Sequence, residues 1–113
     1  MSTSINKQDN VLRVILDRRF DTNTAPDVDA DLAVQLADDC RGVVFDFAHT
    51  DFMSSAGLRI LLKTAKMLHA KGGKVAVCSA NKQIFEVLES SGFLGILPHF
   101  SSIADATESI QKV

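Results

Sequence analysis

No stretch of this sequence is apolar for the length of a membrane span. The first residues, Met1-Ser2-Thr3-Ser4, show no basic region leading into an apolar one. No signal peptide is read, and a cytoplasmic location is expected. Lys and Arg form no cluster, the net charge is −2, and the one adjacent basic pair, Arg18-Arg19, follows an apolar run as strand ends do. A nucleic-acid partner, which needs a cationic patch, is not expected, nor is a membrane partner. The two cysteines, Cys40 and Cys78, have neither a CxxC spacing nor a histidine close by in sequence. Reduced, buried thiols are expected rather than a disulfide, a metal ligand or a nucleophile. The glycines stand in neither Gly-x-Gly-x-x-Gly nor Walker order, which removes the common nucleotide cradles. Internal repeats, linkers and low-complexity tracts are also missing.

What is present is 113 residues, 46% of them hydrophobic, enough for one core in a single domain over residues 1–113. Val11-Leu-Arg-Val-Ile-Leu16 reads as a strand, paired with an extended segment near Ser4–Lys7 across a turn at Gln8-Asp9-Asn10. Phe20-Asp21-Thr22-Asn23-Thr24-Ala25-Pro26 has the residues of a loop and helix start. Val28, Leu32, Ala33, Leu36 and Ala37 then recur at helical spacing to about Cys40, with Asp27, Asp29 and Asp31 placed toward the positive helix end. Val43–Phe47 is apolar apart from Asp46, as in a strand covered on both faces. Leu58, Leu61, Leu62, Ala65 and Leu68 mark a second helix ended by Gly72-Gly73, and Lys74–Cys78 a further strand. Asn81 caps a third helix whose apolar face is Ile84, Phe85, Val87 and Leu88; Ile96-Leu97-Pro98 is a short extended piece; Ser101 or Ser102 starts a last helix. This alternation predicts an α/β fold with a mixed, mostly parallel sheet of about four to five strands and about four helices.

The junction between the second major strand and second helix is Asp51-Phe52-Met53-Ser54-Ser55-Ala56-Gly57-Leu58-Arg59. Two hydroxyls stand at a helix N-terminus, where unpaired backbone N–H groups favour negative charge. A serine there is either an N-cap or a site that handles phosphate, and local chemistry leaves both readings open. Only one of the two can be the cap, and Ala56 and Gly57 keep the junction sterically open.

Catalysis by either serine is not expected. A hydrolase elbow is Gly-x-Ser-x-Gly, and position 53 is Met. Of the three histidines, only His49 shares the connection with the serines; His69 lies roughly 20 Å along the following helix, and His99 sits in a loop beside Pro98. Asp21, Asp46 and Asp51 each fall near a strand end, where three acids could gather a divalent cation. Turns and caps explain Asp21 and Asp51 more simply, and Asp46, inside an apolar run, needs a partner the sequence does not name. No cofactor and no metal are expected.

Phe52 to Arg59, after a buried strand and opening a helix, resembles the signature of the STAS domain, and more narrowly the anti-sigma factor antagonists of bacterial partner-switching systems. Phe20–Ala25 resembles that family's loop after the second strand, Lys71–Val75 its helix-to-strand turn, and Phe85–Phe93 its third helix and exit. The resemblance spans the chain. It implies that the protein is not an enzyme but the substrate of one. Its partner would be an anti-sigma factor that is also a serine kinase of the histidine-kinase-like ATPase fold. Aligned on Gly57, the phosphate acceptor is Ser55, with Ser54 where the family's other motif version carries Asp. Asp21, Thr22, Asn23 and Thr24, together with Ser54, Ala56, Gly57 and Arg59, would form the docking face. A metal-dependent serine phosphatase would reset the switch. The alternative within the family is a phosphorylation-independent STAS subunit of a transporter or signalling scaffold.

Overall fold

The computed structural model describes residues 4–36 and 40–111. β1 (Ser4–Gln8) and β2 (Val11–Ile15) form the expected antiparallel hairpin, Gln8 facing Val11 across a two-residue turn. Asp9 takes a left-handed φ of 56°, which a short polar side chain tolerates. A two-residue strand, β3 (Arg19–Phe20), leads to α1 (Ala25–Gln35). Pro26 sits in the first turn of α1, where a missing N–H costs nothing. The helix ends at Gln35, short of the expected Cys40, with its last cap bond from the Leu36 N–H; Ala37 lies outside the described residues. Of the three aspartates expected near its start, only Asp27 falls in the first turn.

β4 (Gly42–Asp46) is buried along its whole length, which is why its sequence shows no alternation. A second two-residue strand, β5 (Phe52–Met53), precedes α2 (Ser55–Ala70). α2 closes at Gly72, whose φ of 80° suits glycine, with the Gly73 N–H reaching back to the Leu68 carbonyl at 2.7 Å. β6 (Lys74–Cys78) and α3 (Lys82–Ser90) follow, α3 capped by the Asn81 side chain on the Ile84 N–H at 2.8 Å. The expected strand at Ile96-Leu97-Pro98 is displaced. Phe93–Gly95 forms a 3-10 turn, Leu97 is buried, and the strand is β7, His99–Phe100. Pro98 cannot donate to a ladder, but its carbonyl accepts the Val77 N–H at 3.0 Å, so pairing starts there and runs on. His99 is thus in a strand, not a loop. α4 (Ile103–Gln111) begins at Ser102, whose Oγ accepts the Asp105 N–H at 3.1 Å.

The main sheet runs β1-β2-β4-β6-β7, parallel throughout except for the β1 edge. α1, α2 and α3 cover one face: Val28, Leu32, Leu61, Leu68, Ile84 and Leu88 pack on Leu12, Val14, Val43, Phe45, Val75 and Val77. Among the described residues α4 alone covers the other, with Ala106 and Ile110 on Val11, Val44, Ala76 and Cys78. The fold is the expected mixed α/β sheet of five strands with four helices. β2 and β4 are parallel neighbours with Ile15 opposite Asp46, so the chain leaves both at one edge of the sheet.

Candidate functional site

The segments leaving β2 and β4 meet again in a small second sheet. β3 pairs with β5 in parallel, Arg19 opposite Phe52 and Phe20 opposite Met53. The Arg18 carbonyl accepts the Asp51 N–H at 2.7 Å, and the Phe20 carbonyl accepts the Ser54 N–H at 3.0 Å. This pairing brings the Asp21–Thr24 loop beside the serine junction. Neither short strand is long enough to show a period in the sequence.

The two serines differ once they are in place. Ser54 is extended, with φ −94° and ψ 176°, and its Oγ accepts the Ala56 N–H at 3.2 Å. It is the N-cap of α2. Ser55 is the first helical residue, is exposed, and makes no hydrogen bond through its hydroxyl among the described residues. Gly57 is buried against β3: a Cβ there would stand 2.6 Å from the Phe20 carbonyl oxygen and 2.8 Å from its ring. Only glycine lets α2 approach so closely.

The neighbouring loop is tied from within by Asp21. Its carboxylate accepts the Asn23 N–H at 3.0 Å, the Thr24 N–H at 3.3 Å and the Arg19 Nε–H at 2.9 Å. Thr24 Oγ1 accepts the Asp21 N–H at 3.0 Å and donates to the Arg19 carbonyl at 2.9 Å, so it does not cap α1. The Arg19 guanidinium lies 4.7 Å over the Phe52 ring. Hydrogen bonding from Arg19, and after it the backbone N–H groups, holds the Asp21 carboxyl below its ordinary range, against the opposing effect of burial.

The residues expected on the docking face therefore do come together, in two roles. Thr22, Asn23, Ser55 and Arg59 are exposed, and Thr24, Ser54 and Ala56 are half-buried. Asp21 and Gly57 are buried, so they shape the surface from beneath. Sequence reasoning missed Arg19, Phe20 and Phe52, which hold the two segments together. The one signal was Arg18-Arg19, the only adjacent basic pair, placed at a strand end.

Among the described residues no histidine or carboxylate hydrogen-bonds to either serine. His49 lines a shallow depression with Asp17, Arg18, Ala48 and Asp51. His99 Nε2 accepts the Ala80 N–H at 3.2 Å, with the ring edge-on to Phe85 at 5.1 Å, and burial pulls its pKa down. The three acids do not converge. Asp21 pairs with Arg19, and Asp51 pairs with Arg18 at 2.9 Å rather than forming a turn. Asp46 finds the partner the sequence could not name, accepting the Ala48 N–H at 2.9 Å. Among the described residues no group of three His, Cys, Asp or Glu is placed to hold a metal. Cys40 and Cys78 are free and buried, and burial, then the Asp46 charge, pushes the Cys78 thiol up to about 12. No helix among the described residues is long and apolar enough to cross a membrane.

The family model described as the STAS domain matches residues 2–106. BtrV of Bordetella bronchiseptica, a candidate anti-sigma factor antagonist, is 37% identical over 98 residues, covering 87% of this chain and 84% of that protein. The crystal structure of an anti-sigma factor antagonist from Mycobacterium paratuberculosis superposes with a TM-score of 0.87 at 23% identity, covering 98% of this chain and 94% of that one. The Bacillus cell fate determinant SpoIIAA in its phosphorylated form superposes with a TM-score of 0.78 at 14% identity, covering 97% of this chain and all (100%) of that one.

Proposed function

This chain belongs to the STAS domain family, and on that premise we propose that it is an anti-sigma factor antagonist switched off by phosphorylation of Ser55. The observation that carries the reading is the division of labour at the junction. Ser54 is held by the helix it caps, while Ser55 is presented to solvent with its hydroxyl unused. BtrV is described as a candidate anti-sigma factor antagonist, and SpoIIAA is a protein that exists in a phosphorylated form.

In its unmodified state the protein docks an anti-sigma factor through Thr22, Asn23 and Thr24 and the first turns of α2, Ser54 to Arg59. That partner is also a serine kinase of the histidine-kinase-like ATPase fold. Ser55 Oγ attacks the γ-phosphorus of ATP bound to the kinase, ADP leaves, and the hydroxyl proton passes to a base on the kinase. The phosphate brings about −1.5 to −2 charge and three strong acceptors. An interface fitted to a neutral hydroxyl then faces desolvation and repulsion. A tenfold loss of affinity requires only about 1.4 kcal/mol. Hydrolysis of the phosphate by a metal-dependent serine phosphatase restores docking.

Incubation with the cognate switch kinase and ATP tests this. Intact and peptide mass spectrometry should find one added phosphate, located on Ser55. Ser55→Asp should bind the kinase at least tenfold more weakly than wild type, and Ser55→Ala should bind persistently. Phosphate on Ser54 would reassign the acceptor, and no added phosphate would sink the switch.

A further inference from the structure

We propose that Arg59 is the internal counter-ion of phosphorylated Ser55, so that modification both adds a charge and withdraws a cation from the docking face. The inference rests on the reading that Ser55 carries phosphate. Ser55 and Arg59 lie four residues apart in α2, and both are exposed. At this spacing two side chains share one helix face with Cβ atoms about 6 Å apart. Helical side chains tilt toward the N-terminus, so Arg59 leans back over the turn that Ser55 opens. An anion one turn N-terminal to a cation is the favoured order for such a pair.

The commitments of the surrounding cations single out Arg59. Arg18 is paired with Asp51 at 2.9 Å, Arg19 with Asp21 at 2.9 Å, and Lys63 with Asp29 at 2.8 Å across α1 and α2. Arg59 has no ion pair or hydrogen bond through its side chain among the described residues. Each of the other three must break an existing pair to reach a phosphate on Ser55, and Arg59 breaks none. Its planar fork also matches two phosphate oxygens at once. Before modification the same guanidinium is free for a carboxylate on the partner. After modification it is engaged within its own helix.

The test uses the full chain with phosphoserine installed at position 55 during translation, so that no kinase is involved. The second ionisation of the phosphate is followed by phosphorus NMR in the wild-type background and in Arg59→Gln, Arg59→Lys and Lys66→Gln. An adjacent cation favours the dianion and lowers that ionisation. Arg59→Gln should therefore raise it by roughly 0.2–0.4 unit, and the difference should collapse in molar salt. Arg59→Lys should fall between, and Lys66→Gln, which removes an exposed charge from the same helix, should leave it in place. Equal values for Arg59→Gln and Lys66→Gln would overturn the pair. Failure of the kinase to modify Ser55 is a separate result, which overturns the switch and not the geometry of the two side chains.

Discussion

Two adjacent serines of identical chemistry are made unequal by one backbone torsion. Ser54 is extended and turns its Oγ onto the Ala56 N–H, while Ser55 has entered the helix and cannot reach an amide of that turn in the same way. Cap preference made one of the serines a structural residue from sequence alone; which one depended on where the helix began. The cap assignment has a measurable consequence. Ser54→Ala should cost about 1 kcal/mol in urea unfolding, and Ser54→Asp should recover most of it, because a carboxylate caps equally well. Ser55→Ala should be within about 0.5 kcal/mol of wild type, as for an exposed side chain without a partner. Equal losses for Ser54→Ala and Ser55→Ala would mean that the cap is not Ser54.

At the scale of elements, the decisive contact is α2 against β3, and Gly57 makes it possible. Helix propensity alone favours Gly57→Ala by up to about 1 kcal/mol. The added Cβ would lie 2.6 Å from the Phe20 carbonyl oxygen, a backbone atom that cannot swing aside. Overpacking of this kind costs about 1–3 kcal/mol and shifts the backbone. Gly57→Ala should therefore lower the thermal midpoint and weaken partner binding together, because the buried residue sets the position of α2 beneath the docking face. A gain in stability would show that α2 has room to move. The same contact marks the limit of what the sequence made legible. β2, β4, β6 and the helices α2 and α3 were readable because their apolar residues repeat over five residues or more. β3 and β5 have two residues each and exist only through each other. β7 was misplaced because the apolar run Ile96-Leu97 suggested a strand, whereas Leu97 is buried in the turn before it. The candidate site followed the same rule. Its residues were named through the family resemblance of two short motifs, each local in sequence, and the Arg19 and Phe20 contacts that join those motifs were not, because they link segments more than thirty residues apart.

For the whole molecule, the parallel pairing of β2 and β4 is what places both halves of the docking face at one sheet edge, outside the carboxyl ends of the strands. The opposite side of β6 carries a different constraint, His99, held between the Ala80 amide and the Phe85 ring. Both regions tie stability to pH, with the same sign in different windows. The His99 pKa is lowered from 6.5 by burial, so the fold accommodates the neutral ring. Its contribution is complete above about 6.5 and is lost as pH falls through the lower folded value. The Asp21 pKa is lowered from 3.8, first by the Arg19 hydrogen bond, so the fold favours the carboxylate. That contribution is complete above about 3.8 and is lost as pH falls further. Stability measured by urea unfolding should therefore decline in a first step below about pH 6.5 and again below about pH 3.8. His99→Gln, which keeps an acceptor but does not titrate in this range, should remove the first step and keep the second. Asp21→Asn should shrink the second and, because the carboxylate organises Asn23 and Thr24, should weaken partner binding even at neutral pH. If His99→Gln retains the first step, the buried imidazole is not its source. If Asp21→Asn binds the partner as wild type does, the loop holds its shape without the Arg19 clamp.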